Sequence, residues 1–85
     1  MNEQELRKHY LNVFNDCADL AIQRGHDYND DGNMIGSYSE YTINDIFSII
    51  KIKAIRCKHS PDNEKVIRDS CLDIICYCNE ILRRL

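Results

Sequence analysis

At 85 residues the chain is long enough for one domain and too short for two. Its 11 basic and 14 acidic residues leave a net charge of −3, which excludes the strongly basic surface that broad nucleic-acid binding needs. The N-terminal run MNEQELRKHY is polar and no stretch has the length of a membrane span, so the chain reads as cytoplasmic, with no membrane partner.

The spacing predicts a first helix over about residues 2–24. Leu6, Tyr10, Val13, Phe14, Cys17, Leu20 and Ala21 recur at i, i+3, i+4 and i+7, which makes one apolar stripe. Gly25, directly after Arg24, has the place of a helix C-cap. Residues 25–41 then hold all three glycines and many turn formers, which predicts a long loop.

A second helix is predicted over about 42–58. Thr42 is its expected N-cap, and Asp45, three residues on, can close a capping-box-like start. Ile43, Ile46, Phe47, Ile49, Ile50, Ile52, Ala54, Ile55 and Cys57 cover most of its circumference. Two neighbouring helices cannot surround such a helix, so part of it is expected to pack on another subunit. The turn His59-Ser60-Pro61-Asp62 leads to a third helix over about 62–84. Its main stripe is Ile67, Cys71, Ile74, Cys78, Ile81 and Leu85, widened by Leu72, Ile75 and Leu82. The expected fold is therefore an all-α, three-helix antiparallel bundle that assembles as a homo-oligomer through helix 2. Assembly is a common remedy for the small core of a short chain.

Three constellations could carry chemistry. Asp69, Asp73 and Glu80 form an acidic row on the third helix, with Tyr77 beside it. Carboxylates four apart stack on one helix face and suit a magnesium ion, which takes oxygen ligands and substrate phosphates. Their competing use is a solvated face in which Glu80 pairs with Arg84. Lys51, Lys53 and Arg56 form a basic cluster late in helix 2, able to hold phosphates, or simply to reach water from a buried helix. In the loop, Asp27, Asn29, Asp31 and Gly32 match the opening of a calcium-binding loop, but its twelfth position is Tyr38, which offers no carboxylate. No nucleophilic triad and no glycine-rich phosphate loop is readable.

The five cysteines, Cys17, Cys57, Cys71, Cys76 and Cys78, are odd in number and contain no CxxC pair. They read as reduced thiols serving as small apolar residues. Twelve isoleucines and eight asparagines are typical of AT-rich coding sequence, such as that of a low-GC bacterium or its phage.

Taken in order, Asp27-Tyr28, then Asp45…Lys51-Ile52-Lys53…Arg56, then Asp69-Ser70…Asp73-Ile74-Ile75…Tyr77 resembles a small helical domain of phages described as nucleotide-modification-associated. That domain is similar in outline to the all-α nucleoside triphosphate pyrophosphohydrolases, the MazG-like and dUTPase-like group. The resemblance covers about residues 10–82. It implies that Asp69 and Asp73 are the acidic pair of the last helix, Asp45 the carboxylate of the preceding one, and Tyr28 the aromatic of the loop. Those hydrolases carry a Glu-Glu-x-x-Glu motif on the preceding helix, where this chain has only Glu40, Asn44 and Asp45. That departure favours binding over hydrolysis.

The leading expectation is thus a small phage-type protein in the bacterial cytoplasm that binds a nucleotide or nucleotide-derived ligand between helices or subunits. Sequestering a defence signal is one such role. Lys51, Lys53 and Arg56 would hold phosphates, and Tyr28 or Tyr38 would stack a base. Magnesium at Asp45, Asp69 and Asp73 is the one cofactor it suggests. The alternatives are an interaction or inhibitor module without a ligand, and a magnesium-dependent pyrophosphohydrolase.

Overall fold

The computed structural model describes residues 1–28, 38 and 40–85, with residues 27 and 28 described in backbone only. The described residues form three helices and no strand: α1 (Glu3–Tyr28), α2 (Ile43–His59) and α3 (Glu64–Arg84). The fold is all-α, as the periodicity requires.

The start of α2 follows the sequence closely. The Thr42 hydroxyl accepts from the Asp45 backbone N–H at 3.0 Å, and the Asp45 carboxylate accepts from the Thr42 backbone N–H at 2.9 Å. This is a complete capping box. The N-terminus of α3 lies two residues later than expected. Asn63 caps it, accepting the Val66 N–H at 3.1 Å, because its short amide reaches the free N–H groups of the first turn.

Gly25 does not end α1. The helix runs on to Tyr28, and Gly25 is buried inside it. A glycine within a helix costs about 1 kcal/mol relative to alanine. The tertiary anchor on the preceding residue, Arg24, outweighs that local preference: its guanidinium stands 2.6 Å from Asp73 of α3.

The central element is α3. It packs extensively on α2 and less so on α1, while α1 and α2 hardly meet. Ile46 of α2 is fully buried at this junction, and Cys17 of α1 and Cys76 and Ile81 of α3 complete the buried apolar set. Where α1 crosses α3, the Cys76 thiol points at the Cys17 carbonyl oxygen at 3.6 Å. All five cysteines are free thiols.

The face that α3 buries departs from the expected stripe. Ser70, Asp73, Cys76, Glu80 and Ile81 are buried, whereas Cys71, Cys78, Leu82 and Leu85 are exposed. The buried face is rotated by about a quarter turn from the most apolar one. Arg24 of α1 and Lys53 of α2 pair with Asp73, and Arg83 and Arg84 of α3 itself pair with Glu80, so the carboxylate face turns inward. No helix among the described residues is long and apolar enough to cross a membrane.

Candidate functional site

The junction of the three helices is built around a charge. Asp73 is only 5 % exposed, and a cation approaches it from each flanking helix. Arg24 Nη2 of α1 lies 2.6 Å from Oδ1, and Lys53 Nζ of α2 lies 3.1 Å from Oδ2. The Arg24 contact is a close ion pair. The pairing with Asp73 raises the Arg24 pKa despite the opposing effect of burial.

Helical geometry accounts for the convergence. Arg24 is seven residues beyond Cys17, two turns along the same buried side of α1. Lys53 is seven beyond Ile46 on the buried side of α2, and Asp73 occupies the centre of the buried side of α3. Two cations and one carboxylate leave the cluster with a formal excess of one positive charge. Lys53 and Arg24 each retain N–H donors beyond those turned to Asp73, and their side chains are 21 % and 33 % exposed.

Two tyrosines border this cluster. Tyr38 and Tyr77 stand edge to face, with ring centroids 5.7 Å apart and an interplanar angle of 83°. Burial pushes the Tyr38 phenol up to about 12 and raises that of Tyr77. Arg24 is within electrostatic reach of both rings' hydroxyls.

A second buried carboxylate, Glu80, holds the end of α3 together. Arg83 grips it through two bonds of 2.8 and 2.7 Å, and Arg84 Nε adds a third at 2.8 Å. These bonds, led by those from Arg83, hold the Glu80 pKa below its usual value. Arg84 also donates to the carbonyl oxygens of Tyr41 and Tyr38, the latter at 2.6 Å. Arg84 thereby ties the backbones of Tyr38 and Tyr41 to the end of α3, where Glu80 holds it. The expected Glu80–Arg84 pair is present, although buried rather than solvated.

The structure brings together only part of the expected site. Lys53, Asp73 and Tyr38 meet at the junction. Arg56 is exposed one turn beyond Lys53, and Lys51 is exposed on the other side of α2. Neither makes an ion pair with a described residue. Asp45 is used in the capping box, Asp69 is exposed, and Asp73 faces cations. Among the described residues no three or more His, Cys, Asp or Glu side chains are grouped as a metal site, and Asp45, Asp69 and Asp73 stand apart. The reason is simple: i, i+4 carboxylates share a face, but here that face is partitioned, with Asp73 turned into the bundle and Asp69 left in water. The Tyr28 and Asp27 side chains and the calcium-loop candidates Asn29, Asp31 and Gly32 lie outside the described residues.

Arg24 was not singled out in the sequence. Its signal was present, because it continues the stripe Leu6, Tyr10, Cys17 as a charge in line with apolar residues.

Beside this centre, α1 and α3 enclose an apolar groove of about 620 Å³ lined by residues that include Phe14, Ala18, Ile22, Ile75, Cys78 and Leu82. Comparison of the chain with protein-family models, with curated proteins and with solved structures found no match.

Proposed function

We propose that this chain binds a phosphorylated, nucleotide-like small molecule at the junction of its helices, without cutting it. The observation that supports this reading is the convergence of Arg24 and Lys53 on Asp73 beside the Tyr38–Tyr77 pair. The centre keeps a net positive charge and solvent-facing N–H donors, which suit a phosphate oxygen. Arg56, adjacent to Lys53 on α2, extends that cationic surface. The neighbouring tyrosines offer a face for a base.

Binding without hydrolysis fits the carboxylates. A metal-assisted pyrophosphohydrolase needs several of them around one ion to activate water. Here the expected three are apart, and the buried one is already neutralised by cations. Capture of a nucleotide-derived signal in a bacterial cytoplasm is a role consistent with such a site.

The test is native mass spectrometry of protein purified from a nucleotide-rich lysate, followed by calorimetric titration with ATP, dUTP, tripolyphosphate and adenosine. The expected result is saturable binding of the phosphorylated probes, no binding of adenosine alone, and recovery of the nucleotide unchanged. Lys53→Gln, judged folded by circular dichroism, is expected to weaken binding about tenfold or more, the loss of one charge-assisted contact. Absence of binding by all three phosphorylated probes overturns the reading, and so does release of pyrophosphate.

A further inference from the structure

Two cysteines from different helices meet inside the protein where α1 crosses α3. Cys17 and Cys76 are both buried. The Cys76 sulfur stands 3.6 Å from the Cys17 carbonyl oxygen, so it lies against the opposing backbone. The two thiols are also within hydrogen-bond reach of each other. Such close approach suits a disulfide, whose Cα atoms stand within about 7 Å. The other cysteines are placed differently: Cys71 and Cys78 are exposed on α3, and Cys57 is half-buried on α2.

We infer that Cys17 and Cys76 form a redox-sensitive latch, which a peroxide closes by oxidising the pair to a disulfide that ties α1 to α3. The Cys17 thiolate attacks one oxygen of hydrogen peroxide. The O–O bond breaks, and hydroxide leaves and takes up a proton as water. The Cys76 thiolate then attacks the sulfenic sulfur of Cys17, the S–S bond forms, and a second water departs. Two thiols and one peroxide thus give one disulfide and two waters. The thiols are oxidised and the peroxide is reduced.

The setting of the sulfurs assigns their roles. Burial raises the Cys17 thiol and pushes that of Cys76 up to about 11. Their mutual hydrogen bond lowers Cys17 and raises Cys76, so Cys17 ionises first and is the attacking sulfur. Both thiols are mostly protonated at neutral pH. The latch therefore closes slowly, under sustained rather than brief exposure to oxidant.

The tie falls where the helices hold each other least. α3 packs less on α1 than on α2. Among the described residues, Arg24–Asp73 is the one ion pair between α1 and α3. Arg24 is two turns beyond Cys17, and Asp73 is three residues before Cys76. The disulfide would join residues 59 apart, and a cross-link over a long loop constrains the unfolded chain most. Oxidation thereby fastens the helix that carries Arg24.

The experiment treats the reduced full chain with hydrogen peroxide, blocks remaining thiols by alkylation, and maps its peptides by mass without reduction. The expected product is a Cys17–Cys76 link that dithiothreitol reverses. Its rate of formation is expected to rise about tenfold per pH unit between pH 7 and 8, as the thiolate fraction does. The linked protein is expected to melt several degrees higher than the reduced one. Cys17→Ser should abolish both the link and the gain in Tm. The map of the unaltered protein decides the matter where that variant fails to fold. Oxidation confined to Cys57, Cys71 and Cys78, or a linked protein that melts no higher than the reduced one, overturns the inference.

Discussion

The Lys53 ammonium of α2 lies 3.1 Å from the Asp73 carboxylate of α3, in the most extensive helix contact of the molecule. The same carboxylate receives Arg24 from α1, so one side chain joins three helices. Removing it leaves two partly buried cations facing each other. Asp73→Asn is expected to lower stability by about 3 kcal/mol, the scale for losing one partner of a buried pair. For a chain of this size that is a fall in Tm of about 10–20 °C, read by circular dichroism at fixed protein concentration. Lys53→Met is expected to cost less, because Lys53 is partly exposed and its stem keeps its packing. If Asp73→Asn melts with the wild type, Asp73 does not join the helices.

Glu80 gives the protein an acid limit. Its pKa is depressed in the folded state, mainly by the bonds from Arg83, so its contribution is complete above the unfolded carboxylate value and disappears as pH falls through the folded one. Urea midpoints are therefore expected to drop below about pH 4.5, the ordinary value for the group. Glu80→Gln should be less stable near pH 7 and show a shallower acid decline. Parallel pH profiles for the two proteins would remove Glu80 as the cause.

Tyr38 sets a limit at the alkaline end. Burial moves its pKa up to about 12 from the usual 10.0, so the folded state favours the neutral phenol. The associated stability is complete below pH 10.0 and is lost as pH rises towards 12. In a phenolate absorbance titration, Tyr38→Phe should delete the component that ionises last. Loss of an early-titrating component instead would mean that Tyr38 is open to solvent.

The junction of α2 and α3 also makes two local predictions. Ile46 is fully buried, so Ile46→Ala is expected to cost about 2–5 kcal/mol. Thr42→Ala removes the hydroxyl half of the capping box at the exposed start of α2, leaves the backbone N–H bond to Asp45, and is expected to cost about 1 kcal/mol. Chemical denaturation that ranks Thr42→Ala as the worse of the two would show that α2 is held by its cap rather than by packing.

Much of the fold was legible in local chemistry. Thr42 and Asp45 announce the start of α2 because a capping box involves only residues three apart. The pair Glu80–Arg84 was legible for the same reason, since i, i+4 residues face each other on any helix. What failed was the use of local rules where distant contacts compete. Gly25 satisfies the pattern of a C-cap, yet Arg24 beside it is anchored to a residue 49 positions away, and the helix continues.

By itself, then, the sequence determined three helices and the capping box that starts α2, because periodicity and capping are short-range properties of the chain. Only the tertiary structure decided which side of α3 turns inward. Its apolar stripe and its carboxylate face both offered a buried surface. The buried choice is Asp73 and Glu80 because Arg24, Lys53, Arg83 and Arg84 arrive to neutralise them. An isolated carboxylate would not be buried: Glu80 finds its arginines three and four residues on within α3, but Asp73 depends on where the cations of α1 and α2 fall, and no spacing within α3 encodes that.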